Sequence, residues 1–295
     1  MLLTDTQKHK VANDIRSYTV EEITRDFENL RAVGKNAAKM SPETRIGNKT
    51  VDFFSFYERL NTIGSEGISF FDFYANRRKY ANRPSVQRLR QMDAKNDAEN
   101  WYEIFRLYFG SINIFRPLVA MEIYARYKPT CVLDPTMGWG GRLIGACAMD
   151  IPKYIGIELN ANLRAPYREM KRFLKAHSST EIELHFQNAL RFDYKKVEYD
   201  MVLTSPPYYD VEIYNGVKTY KDKEEWKAKF YIPLFTAVFQ GLTRGGHMCI
   251  NVPDEIYNDV LIPLFGRAKS RHLLRRGRSR SSEYDEYIYV WHKTS

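Results

Sequence analysis

The sequence predicts a doubly wound α/β sheet over residues 111–295, preceded by a mainly helical, aromatic-rich region over residues 1–110. Three observations predict it. From Thr130 onward, short apolar runs alternate with helical stretches, the pattern of parallel strands joined by helices. The first run leads into a glycine-rich turn, Asp134-Pro135-Thr136-Met137-Gly138-Trp139-Gly140-Gly141, which opens a helix. The second run ends on an acid, Glu158, about 24 residues further on.

The helical region contains two aromatic stretches, VDFFSFYERL and ISFFDFYANRRKY, separated by a break at residues 64–67. Residues 113–127 read as a helix leading into the sheet. Strands are expected near 131–133, 154–158, 183–186, 201–204, 247–252 and 287–291. Helices are expected over about 141–148, 162–176, 223–242 and 255–268.

A chain of 295 residues can bury a real core in one or two domains. Its first residues, MLLTDTQKHK, contain no apolar signal core, and no run of about 18 apolar residues occurs. The expectation is a soluble, cytoplasmic protein, neither secreted nor membrane-spanning. Cys131, Cys147 and Cys249 are far apart in apolar contexts, which is no disulfide framework and no metal spacing. Nor do the six histidines include a pair three to five residues apart, so no metal is expected.

The net charge is +9. Residues 77–90 hold six basic side chains and no acid; residues 267–280 hold seven and no acid. Such clusters suit a polyanion, with a solvated surface as the plainer alternative. Arg77, Arg78 and Lys79 in the first and Arg275, Arg276 and Arg278 in the second are the candidate nucleic-acid contacts.

Glycines in the turn after the first strand let the backbone bend sharply and approach a ligand, beside the free N–H groups of a helix N-terminus. An acid at the offset of Glu158 suits the two hydroxyls of a ribose. The turn is not the dinucleotide fingerprint, and it lacks the Lys-Ser/Thr of a phosphate loop. Further on, Thr204-Ser205-Pro206-Pro207-Tyr208 follows the apolar run Met201-Val202-Leu203. Two prolines make a rigid bend with no N–H at either position, so carbonyls there are free to face a ligand. A hydroxyl, fixed carbonyls and an aromatic plate suit a planar base with an exocyclic amine.

DPTMGWGGR resembles the first motif of S-adenosylmethionine-dependent methyltransferases. TSPPY resembles the (Asp, Asn or Ser)-Pro-Pro-(Tyr, Phe or Trp) motif of amino-methyltransferases, which act on the exocyclic amines of nucleic-acid bases. The resemblance covers roughly residues 113–292. It implies a Rossmann-like methyltransferase sheet, S-adenosylmethionine as cofactor and DNA as partner, with the target base flipped out of the duplex.

Carried residue by residue, the resemblance puts Asp134, Gly138 and Gly140 around the methionine part of the cofactor and Glu158 at its ribose. Asn188-Ala189 falls beside the adenine, where the family often has Asp-Ala; an amide can both donate and accept there. Phe115-Arg116-Pro117 resembles the motif that precedes the first, at the methionine end. Thr136, Leu159 and Ser205 complete the expected cofactor set.

A base amine is a poor nucleophile, because its lone pair is delocalised into the ring. Acceptors on its two N–H groups would stabilise the positive charge that grows as the methyl arrives. The Ser205 side chain and the Pro206 carbonyl are assigned that role, in a bend shaped by Pro207, with Tyr208 stacked on the base. No cysteine stands in or beside TSPPY, which argues against the covalent route to carbon-5 of cytosine.

Serine at the first motif position is more frequent among enzymes acting on N4 of cytosine; N6 of adenine stays open as the alternative. Residues 209–222 read as a flap beside the base, with Tyr209 as a contact and Asp210 and Glu212 as candidate orienting acids. Target recognition falls by elimination to residues 1–110, aided by the basic loop at 271–280. RNA as the polymer, a free nucleotide, or a catalytically silent binding subunit are the competing readings. A restriction partner is not readable, and cellular and viral or phage origins are equally open.

Overall fold

The computed structural model describes residues 2–41, 43–83, 86–87, 96–110, 112–209, 212–213 (backbone), 220–274 and 286–294. Arg275, Arg276 and Arg278 lie outside the described residues, as do Asp210 and most of the expected flap.

Among the described residues, seven strands form one sheet: β2 (Cys131–Asp134), β3 (Lys153–Glu158), β4 (Glu181–Phe186), β5 (Met201–Thr204), β7 (His247–Val252), β8 (Ser270–Leu273) and β9 (Tyr287–His292). Their spatial order is β4-β3-β2-β5-β7-β9-β8, and β9 alone runs antiparallel to its neighbours. β1 (Ile63–Gly64) and β6 (Glu212–Ile213) form a separate antiparallel pair. This is the doubly wound, Rossmann-like sheet expected, with a helical N-terminal region before it. The order reverses between β2 and β5, so their C-terminal ends open a crevice at that switch point.

The central strands are buried on both faces, which is why they read as continuous apolar runs. One face packs on the helices Pro117–Tyr127, Gly141–Ala148 and Arg164–His177 through Tyr124, Leu143, Tyr167 and Met170. Phe27, Leu30 and Val51, from the helices Val20–Val33 and Asn48–Asn61, join that same core. The opposite face packs on Trp226, Tyr231, Leu234, Phe235 and Leu261. A third, aromatic cluster, with Phe70, Phe73, Trp101 and Phe105, ties together the helices Asp5–Ile15, Phe70–Ala75 and Asp97–Tyr108.

The helix expected over 113–127 begins only at Pro117. Arg116 is extended (φ −66°, ψ 135°), because proline Cδ disfavours the α region for the residue before it. The helix expected over 255–268 stops at Phe265, where Gly266 turns at φ +73°. The edge strand Ser270–Leu273 was not anticipated; it lies inside the basic run 267–280, whose charge concealed a short pairing segment. In two helices, π turns at Lys227–Tyr231 and Tyr257–Leu261 precede Pro233 and Pro263.

Candidate active site

A cavity of about 430 Å³ opens at the C-terminal ends of β2, β3 and β5. Its lining includes Phe115, Thr136, Gly138, Glu158, Leu159, Asn188, Ala189, Ser205, Pro206, Pro207 and Tyr208. These residues span almost a hundred positions of sequence, and the crevice brings them together. Asp134, Gly140, Arg116, Pro117 and Tyr209 are not on the lining.

The glycine turn and the acid are one unit. Gly138 stands at φ +56°, and its N–H donates to Glu158 Oε2 at 2.9 Å; the Asn160 N–H donates to Oε1 at 2.8 Å. Each carboxylate oxygen keeps a lone pair for a ligand hydroxyl. Burial pushes the Glu158 carboxyl up to about 7, helped by the charge of Asp134 and opposed by the backbone N–H groups of Asn160, Gly138 and Leu159. Asn188 holds its own loop: Oδ1 accepts from the Leu190 N–H at 2.9 Å, which leaves the amide Nδ2 as a donor on the lining.

Asp134 lies beneath the floor, fully buried. It pairs with Arg142 (Nε to Oδ2, 2.6 Å; Nη2 to Oδ1, 3.2 Å) and accepts from the Tyr154 hydroxyl at 2.7 Å and from Thr204 Oγ1 at 3.1 Å. The pair links the end of the first strand, the helix after the glycine turn and the threonine that starts TSPPY. Arg142 also lies 5.0 Å from the centre of the Phe115 ring, and both residues line the cavity.

Pro207 and Tyr209, on either side of Tyr208, are held from the far face of the sheet. The Tyr231 hydroxyl donates to the Pro207 carbonyl at 2.7 Å and accepts from the Tyr209 N–H at 2.9 Å. Tyr209 takes φ +51°, and its buried hydroxyl has no hydrogen-bond partner among the described residues. Among the described residues no donor reaches the Pro206 carbonyl. The Ser205 carbonyl accepts from Thr136 Oγ1 at 3.3 Å, which joins the two motifs directly. Trp226, Phe230 and Tyr220 complete an aromatic wall, with the Tyr220 and Trp226 rings 4.6 Å apart.

Arg77, Arg78 and Lys79 lie in a short 3-10 turn, Arg77–Tyr80, after the helix Phe70–Ala75. Arg77 stacks 4.0 Å above Tyr74 and pairs with Asp97 at 3.4 Å, while Arg78 and Lys79 are exposed. Among the described residues, no group of three or more His, Cys, Asp or Glu could hold a metal, and no helix is long and apolar enough to cross a membrane. The three cysteines are buried and absent from the cavity lining.

Asn251, Trp226 and Arg142 were missed in the sequence reading. Asn251 carried a signal: it is a polar residue in the otherwise apolar strand end HMCINV, 2% exposed in the structure. Arg142 ends the quoted run DPTMGWGGR but was given no role there, and Trp226 carried no signal, since it looks like an ordinary helix residue.

No protein-family model matches the chain, and no curated protein gives a significant match. Solved structures do match in shape. An rRNA methylase from Streptococcus thermophilus is 14% identical with a TM-score of 0.40, over 62% of this chain and 100% of that one. TrmN from Thermus thermophilus is 14% identical with a TM-score of 0.41, over 75% of this chain and 78% of that one. NSun6 from Pyrococcus horikoshii, solved with SFG, is 12% identical with a TM-score of 0.43, over 63% and 53%. At such scores these likenesses carry no argument about chemistry, which rests on the site's own residues.

Proposed function

We propose that this chain transfers the methyl group of S-adenosylmethionine to the exocyclic amine of a base in DNA, N4 of cytosine in particular. One observation carries the reading. A single cavity is lined above β2, β3 and β4 by Gly138, Glu158 and Asn188, and above β5 by Ser205, Pro206, Pro207 and Tyr208. A ribose-and-base end and an amine-accepting end therefore share one chamber.

The residues fit the cofactor. Glu158 keeps acceptor capacity for ribose hydroxyls, and Asn188 Nδ2 can donate to an adenine ring nitrogen. A side chain at Gly138 would enter open space on the ligand side, where only the Thr136 carbonyl lies within 4 Å. The methionine end would then face Thr136, Asn113 and Phe115. When bound, S-adenosylmethionine supplies a methyl group activated on a sulfonium.

The chain's own work lies at the amine. Ser205 Oγ and the uncommitted Pro206 carbonyl accept its two N–H groups, concentrating lone-pair density on the nitrogen. Tyr208, with its hydroxyl tethered, offers its ring to the base. Fixed positioning of amine against methyl supplies much of the rate. A polyanionic nucleic acid is favoured by the net charge of +9 and by the exposed Arg78 and Lys79, and DNA by the family resemblance of the run TSPPY. Contact of residues 1–110 with the substrate is supported by the pairing of Ile63–Gly64 with Glu212–Ile213, just beyond Tyr208. Cytosine is favoured by Ser205 at the first motif position.

The test is methyl-labelled cofactor incubated in parallel with unmethylated duplex DNA and with RNA of mixed sequence. Label in DNA is expected. Label in RNA alone would change the polymer, and label in neither, from protein that binds the cofactor, would overturn the reading.

A further inference from the structure

Asn251 closes β7 at the rim of the cavity, opposite TSPPY. Its Nδ2 donates to the Tyr287 carbonyl at 3.0 Å, on the antiparallel neighbour β9. A carbonyl can only accept, so this bond fixes which end of the amide points where. Oδ1 therefore faces the motif, where Ser205 Oγ lies at 3.1 Å and the Tyr208 hydroxyl at 2.8 Å. Those two hydroxyls are themselves 2.8 Å apart.

The Tyr208 hydroxyl also lies 3.2 Å from the Asn251 carbonyl oxygen. Oδ1 and that carbonyl can only accept, so the Ser205 proton is drawn to Oδ1, and the Tyr208 proton goes to Oδ1, to the Asn251 carbonyl or to Ser205 Oγ. Neither proton is left pointing into the cavity, and Ser205 Oγ keeps at least one lone pair there. We propose that Asn251 is a positioning residue that holds Ser205 as an obligate acceptor, so that the pocket selects bases carrying an amine over those carrying a carbonyl at the same position. The inference rests on the proposed reading of this cavity as a base pocket. It adds the reason why a serine, which can donate as well as accept, suffices at a position meant only to accept.

Cytidine and uridine 5′-monophosphates differ in this one respect, as do adenosine and inosine 5′-monophosphates. Their equilibrium binding can be followed by intrinsic tryptophan fluorescence, since Trp139 and Trp226 both line the cavity. The expected wild-type preference for the amine-bearing member of the better-bound pair is about tenfold. Asn251→Leu should cut it to within about twofold, as should Ser205→Ala, and the double variant should lose no more than either single one. An unchanged far-ultraviolet circular dichroism spectrum and thermal midpoint in each variant report an intact fold.

Equal wild-type affinities within both pairs, no binding of any nucleotide, or an undiminished preference in folded Asn251→Leu would overturn the inference. If that variant does not fold, the wild-type ratio and Ser205→Ala still decide. A wild-type preference without methyl transfer to any polymer would sink the proposed reaction and leave Asn251 its role. Methyl transfer without preference would do the reverse.

Discussion

The Gly138 N–H donates to the Glu158 carboxylate across 2.9 Å, so the turn after β2 and the acid ending β3 form one rigid ligand cradle. Replacing the acid removes both an internal acceptor and the expected ribose contacts. Glu158→Ala should weaken binding of S-adenosylmethionine by about 10–100-fold, the range for losing hydrogen bonds to a charged group. Titration calorimetry would check it; affinity within twofold of wild type (about 0.4 kcal/mol) would rule the contact out.

The same carboxyl sets a pH dependence. Its folded value of about 7 lies above the usual 4.5, so between those pH values the folded protein holds a proton that the unfolded chain releases. Stability of the cofactor-free protein should therefore fall as pH rises through that window. Affinity for the cofactor should rise with pH through about 7, because the ionised form accepts both ribose hydroxyls. Glu158→Gln should flatten both profiles.

Tyr208 separates stacking from tethering. Tyr208→Ala should raise the KM for the nucleic acid, since base–aromatic stacking contributes about 1–3 kcal/mol. Tyr208→Phe should keep that KM and instead lower kcat modestly, through the lost bonds to Asn251 and Ser205. Steady-state kinetics on the two variants would separate them; equal KM in both would contradict the stacking role.

Gly141 illustrates which glycines are needed and why. Glycine to alanine inside a helix ordinarily stabilises by about 1 kcal/mol. Here a Cβ would come within 1.8 Å of the Phe115 carbonyl oxygen, which is backbone and cannot rotate away. Gly141→Ala should therefore destabilise by about 3 kcal/mol or more, read by chemical denaturation.

Asp134→Asn should cost stability first. It leaves the buried Arg142 without its counter-charge, a loss of about 3–5 kcal/mol. Loss of cofactor binding without loss of stability would return Asp134 to a direct ligand role.

Much of this site was legible because its pieces are local runs. The glycine turn, Glu158 and Thr204 to Tyr208 each follow an apolar strand, and chain order alone brings strand ends to one edge of a doubly wound sheet. What stayed hidden was tertiary. Asn251 meets Ser205 across 46 residues, and Tyr231 meets Pro207 across 24; no spacing rule links either pair. Asp134 was legible as a conspicuous acid, yet not as the partner of Arg142, because an i,i+8 pair bridging a strand and a helix has no periodic signature. One helix start was misplaced: the helix expected from residue 113 begins at Pro117, a residue suited to a first turn.

Chemistry at the amine is tested most directly by the product. Unmethylated duplex DNA of mixed sequence, incubated with the protein and S-adenosylmethionine, would be digested to nucleosides and analysed by mass and retention. The arrangement of Ser205, Pro206 and Tyr208 predicts N4-methylcytosine, with N6-methyladenine as the outcome that keeps the chemistry and changes the base. Methyl on a ring carbon, or no methylated nucleoside from folded, cofactor-binding protein, would contradict it.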